Sequence, residues 1–394
     1  MLNDERKEQV IATVQGLVQR RSYSGEEGEV AAFLKEAMLA AGFDEVAQDR
    51  YGNTVGVLRG NRPGPKVLFD GHMDTVPVPD PTTWSHDPFA AEIVDGRMYG
   101  RGTSDMKGAL GAMACAAGFF GEDTGRDFAG EVYVAGIVHE ECFEGVAARE
   151  VAKNVQPDIV VIGESSQLDL KIGQRGRAEI VVETHGIPCH SANPEKGLNA
   201  VYAMSKVIPA IRAIEPPEQE RLGKGILELT DIISDPYPGA SVVPDRCRVT
   251  YDRRLLVGET PESVLVPMQA ALDELAAADP EVRAEVHYAH GEEKCYTGET
   301  IESDRFFPGW LYEEDEPFVV DTLAELRKMG YDPAVREYNF CTNGSSYAGE
   351  AGIKTIGLGP SLESLAHTVD EYVELDQLIG AADCYMGIMR ALCK

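Results

Sequence analysis

Apolar residues recur at helical spacing across residues 5–19 and 28–41, and both stretches are predicted to be helices. Four apolar runs follow: VGVL (55–58), KVLF (66–69), VYVAGIV (132–138) and DIVVIG (158–163). Each is short and continuous, as expected of strands buried on both faces of a sheet. The alanine-rich stretch KGALGAMACAAGFF (107–120) lies among them and is predicted to be a helix. Strands alternating with helices predict an α/β domain with a central mixed, largely parallel sheet flanked by helices.

The middle of the chain changes character. RAEIVVETHG (177–186) alternates apolar and polar residues with a period of two, the mark of a half-buried strand. A helix over 198–214, strands over 225–233 and 246–255, a helix over 260–278 and a strand over 282–289 follow. The second of these helices opens on Thr260, Pro261 and Glu262, a capping residue with proline at the first turn. The order β-α-β-β-α-β is that of the ferredoxin-like motif. Residues 178–290 are therefore predicted to form an inserted ferredoxin-like domain. A helix over 318–329 and a strand over 354–359 resume the first pattern, so the α/β domain is predicted to be discontinuous, 1–177 with 291–394. No internal repeat or low-complexity tract is present.

Composition narrows the setting. Hydrophobic residues make up 43% of the 394, enough for a buried core. Asp and Glu number 66 against 36 Lys and Arg, a formal charge of −30. So acidic a surface repels phosphate backbones and anionic lipids, which argues against nucleic acid and membrane partners. No apolar stretch approaches the ~18 residues of a membrane-spanning helix. The N-terminus, MLNDERKEQVIATVQGLV, lacks a basic region followed by an apolar core and does not read as a signal peptide. The cysteines at 115, 142, 189, 247, 295, 341, 384 and 393 are scattered and form no CxxC, the pattern of reduced thiols. A cytoplasmic location is expected.

Candidate chemistry collects at the ends of the predicted strands. KVLFDGHMDTV (66–76) runs a buried strand into Gly71, His72 and Asp74, at the kind of strand end where α/β sheets place ligand sites. Asp74 could fix the tautomer of a metal-bound His72; both could equally be surface polar groups. In GRGTSDMKG (100–108), Asp105 stands just before a helix, as a ligand or as an N-cap. Residue 105 is also where a dinucleotide loop would need its third glycine. VHEECFEG (138–145) sets Glu140 beside Glu141 after a strand. In extended geometry the two point apart, so one could hold a metal while the other faces water; a solvated acidic turn is the plain alternative. Residue 143 is Phe, so there is no HExxH. IGESSQ (162–167) brings Glu164 after another strand, and Gln167 excludes a GxSxG elbow. LAHTVDEYV (365–373) adds His367. Two imidazoles and three carboxylates form a mixed N/O set suited to zinc or cobalt.

With HMDTV, GRGTSDMKG, HEE, GES and AHTVDE in that order, almost the whole chain resembles the zinc amidohydrolases that include acetylornithine deacetylase, succinyl-diaminopimelate desuccinylase, aminoacylase and carboxypeptidase G. The resemblance implies two Zn²⁺ per chain, with Co²⁺ or Mn²⁺ as substitutes. It implies that Asp105 bridges the ions, that His72 and Glu164 complete one site, and that Glu141 and His367 complete the other. It makes Glu140 the general base, has Asp74 orient His72, and implies a cis peptide at Asp105–Met106. GIPCHSANPEKGLNA (186–200) resembles the family's lid segment, whose histidine, here His190, binds the oxyanion; beside Pro188 it would otherwise be a turn residue. DRRL (252–255) fits the family's Asp-x-Arg pattern and makes Arg254 the candidate for a substrate carboxylate, unless it pairs with a strand neighbour. NFCTNGSSYAGEAG (339–352) resembles the substrate loop and implicates Asn343, Gly344 and Ser345, with Asn343 where many relatives have Asp. Cys142 and Cys189 depart from the pattern and receive no role.

The implied activity is cleavage of the amide of a small-molecule N-acyl amino acid. Short peptides are the alternative substrates, through a dipeptidase or carboxypeptidase activity. Ureido or formamido acids are another, since the motifs also resemble hydrolases linked to selenium or purine metabolism in anaerobic bacteria. A non-catalytic binding protein on the same fold is the alternative of another class, disfavoured because Glu140 and every implied ligand are present. The resemblance also implies a homodimer through the lid domain.

Overall fold

In the computed structural model, which describes residues 1–394, the apolar runs become strands and the one-sided stretches become helices. The principal strands are β1 (Glu45–Gln48), β2 (Thr54–Arg59), β3 (Arg62–His72), β4 (Ala129–Ile137), β5 (Ile159–Ile162), β6 (Leu170–Gln174), β7 (Gly176–His185), β8 (Ile226–Asp235), β9 (Arg246–Leu255), β10 (Ala284–Tyr288), β11 (Val335–Tyr338) and β12 (Lys354–Gly357). The longer helices are α1 (Asp4–Val18), α2 (Gly28–Ala40), α3 (Lys107–Thr124), α4 (Ala148–Val155), α5 (Ala200–Arg212), α6 (Pro261–Ala278), α7 (Pro317–Lys328) and α8 (Leu375–Leu392). None is long and apolar enough to cross a membrane. They divide into two units. One comprises Met1–Gln174, Glu292–Glu302 and Leu311–Lys394, the other Arg175–Gly291 and Ser303–Trp310.

The first unit is built on a mixed sheet in the order β1-β2-β4-β3-β5-β12-β6, with β11 beside β6. Its centre is parallel: β4 with β3, β3 with β5, and β5 with β12. All four central strands therefore end at the same edge. The register sets His72 opposite Ile137, Asp70 opposite Ile162, and Ile162 opposite Gly357. Every residue of β5 is buried, which is why it reads as an unbroken apolar run. Helix α3 packs against α1 and α8. Small residues permit this approach: a Cβ on Gly111 would lie 2.7 Å from Val14. Helix α8 is buried on nearly every side, so its sequence carries no one-sided stripe, and periodicity does not find it.

The second unit carries four antiparallel strands in the order β8-β9-β7-β10, with α5 between β7 and β8 and α6 between β9 and β10. The inward residues Ile180, Val182, Val249 and Tyr251 pack with Met204 and Val207 of α5 and Met268 and Leu272 of α6. Thr260 caps α6 as expected, but its reciprocal partner is Ser263 rather than Glu262: each side chain accepts the other's backbone N–H, at 3.2 and 2.8 Å. Ser303–Trp310 also belongs to this unit, because Phe306 pairs with Ala178 on β7; no local pattern signals that return.

Phe69 is fully buried on β3 and meets Tyr385 of α8 edge to face, with centroids 5.8 Å apart. Phe69→Ala should destabilise the first unit by about 3–5 kcal/mol, read as an earlier urea transition. An unshifted transition would mean that this contact does not support the sheet.

Candidate metal centre

The parallel edge explains how residues far apart in sequence meet. His72 is the last residue of β3, and Glu164 follows β5 after Gly163. Glu140 and Glu141 follow β4 through His139, whose φ of 55° turns the chain sharply. Asp105 precedes α3, and the Asp105–Met106 peptide is cis, as the resemblance implies. His367 lies between β12 and α8.

Asp105 sits at the centre of the group. Its Oδ1 is 2.9 Å from His72 Nε2, and its Oδ2 is 3.2 Å from His367 Nε2. Glu164 approaches His72 Nε2 at 3.5 Å, and Glu141 lies 2.9 Å from His367 Nε2. Two sets of ligand atoms result, His72–Asp105–Glu164 and Asp105–Glu141–His367, and either could hold a metal ion. The first is deeply buried, whereas the His367 side chain is 52% exposed.

The chemistry of the donors fits a divalent cation. His72 Nδ1 lies 2.9 Å from the Asp74 carbonyl oxygen. A neutral ring donating there presents its Nε2 lone pair to the carboxylates, the arrangement of a ligand with its outer partner. Oε1 of Glu140 and Oε1 of Glu141 are buried without a hydrogen-bond partner. Unsatisfied anionic oxygens are costly in a protein interior, and cations would relieve that cost. Protons are another counter-charge. Burial pushes the Glu140 and Glu164 carboxyls well above the usual range, and neighbouring carboxylates push further. Hydrogen bonds to Asp105 and Glu141 raise His367 to about 10. Burial opposes ionisation of Asp105, yet bonds from His367 and His72 hold it below the usual carboxylate range.

Asp74, expected to orient His72, meets that ring mainly through its own backbone. Its carboxylate is 3.6 Å from His72 Nδ1, farther than its own carbonyl. Instead it accepts the backbone N–H groups of Glu140 at 3.0 Å and Glu141 at 3.2 Å, and the Ser24 hydroxyl at 2.8 Å. Asp74 thus pins the turn that carries both glutamates. Glu27, fully buried, adds a bond from the His139 N–H at 3.2 Å. Burial, and then the Asp74 charge, raise Glu27 to about 7. Motif reading misses Ser24 and Glu27, because before a helix they look like capping residues.

The expected substrate loop is tied to the sheet edge by internal hydrogen bonds. Asn343 and Ser345 are almost wholly buried. Asn343 donates to Asp70 at 2.9 Å and accepts from the Gly145 N–H at 2.9 Å. Ser345 accepts from Gln174 at 3.1 Å, and the Gly344 N–H donates to Thr342 at 3.0 Å. These groups brace the sheet edge from within.

In the second unit, Arg254 pairs with its strand neighbour Asp252 at 2.8 and 3.4 Å. His190 is exposed, and its Nδ1 accepts the Ala192 N–H at 3.0 Å. Cys189 donates to the Asn193 carbonyl at 3.4 Å, and Cys142 is half-buried. Glu183, His185 and Glu285 also cluster there, but Arg246 already lies 2.8 Å from Glu183, where a cation would sit.

Comparisons with known proteins place the chain in a family. The peptidase family M20/M25/M40 matches residues 68–391. The protein YgeY of Escherichia coli K12, which is uncharacterised, is 34% identical over 376 residues, covering 93% of this chain and 90% of its own. The succinyl-diaminopimelate desuccinylase of Paracoccus denitrificans is 27% identical over 385 residues, covering 95% of each. Among solved structures, the YXEP protein of Bacillus subtilis, described as a dinuclear metal-binding peptidase, superposes with a TM-score of 0.71 at 12% identity over 100% of both chains. The chain belongs to peptidase family M20/M25/M40 and is a hydrolase of amide or peptide bonds.

Proposed function

We propose that this protein is a two-zinc amidohydrolase that cleaves the amide bond of an N-acyl amino acid. The observation that carries the reading is the division of Asp105, one oxygen toward His72 and the other toward His367. That division supports two cations sharing one carboxylate. His72, Asp105 and Glu164 would hold one, and Asp105, Glu141 and His367 the other. The N/O donor set favours zinc, with Co²⁺ or Mn²⁺ as substitutes. When bound, the ions supply Lewis-acid polarisation of the scissile carbonyl and a water acidic enough to ionise near neutral pH.

The chain's own residues do the rest. Glu140 is the general base: Asp74 fixes its backbone, and its unpartnered Oε1 is free to take a proton from water and pass it to the leaving amine. His190 is the oxyanion donor. Because its Nδ1 accepts from Ala192, a neutral ring carries its proton on Nε2. Arg254 takes the substrate carboxylate by exchanging Asp252 for it, a task suited to its planar fork. In this reading the second unit is a ferredoxin-like lid, supported by its strand order. It also forms a homodimer, supported by the exposed Tyr202, Ile232, Ile233 and Tyr237. Eight free cysteines suit a reducing cytoplasm. The desuccinylase relative favours an acyl amino acid, and the peptidase neighbour favours a dipeptide as the second reading.

Zinc- or cobalt-loaded protein should bind two ions per chain. It should release amine from one class within a panel of N-acetyl, N-succinyl, N-formyl and N-carbamoyl amino acids and dipeptides, and a chelator should abolish that release. Cleavage confined to dipeptides would replace the deacylase reading, and chelator-resistant cleavage would overturn the metal mechanism. Glu140→Gln should keep both ions while kcat falls at least about 10²-fold; retained turnover removes Glu140 as base. His190→Ala should lower kcat about 10²-fold at unchanged metal content. Loss of metal in that variant would instead make His190 a ligand.

A further inference from the structure

We propose that Glu371 is the positioning residue that sets the spacing of the two cations, an inference that rests on the two-cation reading above. Glu371 is fully buried on the segment that carries His367. One of its oxygens, Oε1, accepts three backbone N–H groups of the loop that ends in Asp105: Gly102 at 3.1 Å, Ser104 at 2.8 Å and Asp105 itself at 3.1 Å. The other oxygen pairs with the buried Arg101 at 2.5 Å. The Gly100 N–H adds a bond to the Glu371 carbonyl at 2.9 Å. The loop is thus wrapped around a carboxylate, a concave array of N–H groups of the kind that binds anions.

The third ligand-bearing loop is tied to the same place. The Ser104 hydroxyl donates to the Tyr372 carbonyl at 2.6 Å. The hydroxyl of Ser165, next to Glu164, donates to the Ser104 carbonyl at 3.0 Å. The loops carrying Asp105, Glu164 and His367 therefore meet at Ser104 and Glu371, through atoms outside the two sets of ligand atoms. A buried carboxylate is stable only when its oxygens are satisfied, and these N–H groups need an acceptor equally. Loop shape and the Glu371 carboxylate depend on each other, and the division of the Asp105 oxygens follows from that shape. Without Glu371, three loop N–H groups and the Arg101 guanidinium lose their partner, and Asp105 can turn toward one histidine alone.

The test needs no substrate. Wild type, Glu371→Gln and Glu371→Ala are titrated with Co²⁺ against a chromophoric chelator, and the visible spectrum of each Co²⁺-loaded protein is recorded. Wild type should take two ions. In Glu371→Ala the second ion should bind at least about tenfold more weakly, the loss typical when the partner of a ligand is removed, and the spectrum should change. Glu371→Gln, whose amide oxygen still accepts N–H groups, should lie between the two. A folded Glu371→Ala protein with wild-type affinity and spectrum overturns the proposal, whatever its melting temperature. Should Glu371→Ala not fold, Glu371→Gln decides: weaker second-ion binding at an unchanged circular dichroism spectrum supports the role, and wild-type binding overturns it. A wild type that takes no Co²⁺ sinks the two-cation reading itself, an outcome distinct from a wild type and variants that bind alike.

Discussion

Buried negative charge at the parallel edge of the sheet is the constraint on which the rest of the first unit depends. Asp70, Asp74, Glu140, Glu164 and Glu371 are all buried there. Most are satisfied from within. Asp70 accepts from Asn343 and Tyr347, Asp74 from the Glu140–Glu141 turn, and Glu371 from the Asp105 loop. Burial still raises Asp70 to about 6 and Glu371 to about 7, so even satisfied carboxylates remain under pressure to protonate. Among the oxygens that the internal network leaves open are Oε1 of Glu140 and Oε1 of Glu141. In the proposed reading, these belong to the general base and to a metal ligand.

That economy explains the shape of the surrounding chain. Gly102 has a φ of +87°, and a Cβ there would meet Thr75 at 2.8 Å, so the loop can fold around Glu371 only with glycine at this position. Lys107 is buried beneath the same loop, donates to the Arg20 carbonyl at 2.8 Å, and is lowered by burial to about 7. Lys107 therefore offers the nearby carboxylates less positive charge than an exposed lysine would.

The second unit answers to different forces. Its core is apolar. The open face of its sheet carries ion pairs such as Arg254–Asp252, with Arg177 opposite Arg254 and bonded to the same Asp252 at 3.2 Å. Partly exposed pairs of this kind contribute little net stability. In the proposed reading, Arg254 could exchange such a pair for a substrate carboxylate at modest cost.

The sequence by itself determined the elements whose burial is one-sided or unbroken, including β3 to β5, α3 and the β-α-β-β-α-β order of the middle. It also singled out His72, Asp105, Glu141, Glu164 and His367 as candidate ligands, because each stands in a motif beside a strand end or a helix start. Only the tertiary structure decided which atom each of these faces. The division of Asp105, the Asn343–Asp70 bond across 273 residues, the hold of Asp74 on the glutamate turn and the grip of Glu371 on the Asp105 loop have no local signature. The physical reason is that a motif specifies a donor or acceptor type, whereas its partner is chosen by strand register and by which buried charge remains unsatisfied after the chain has packed.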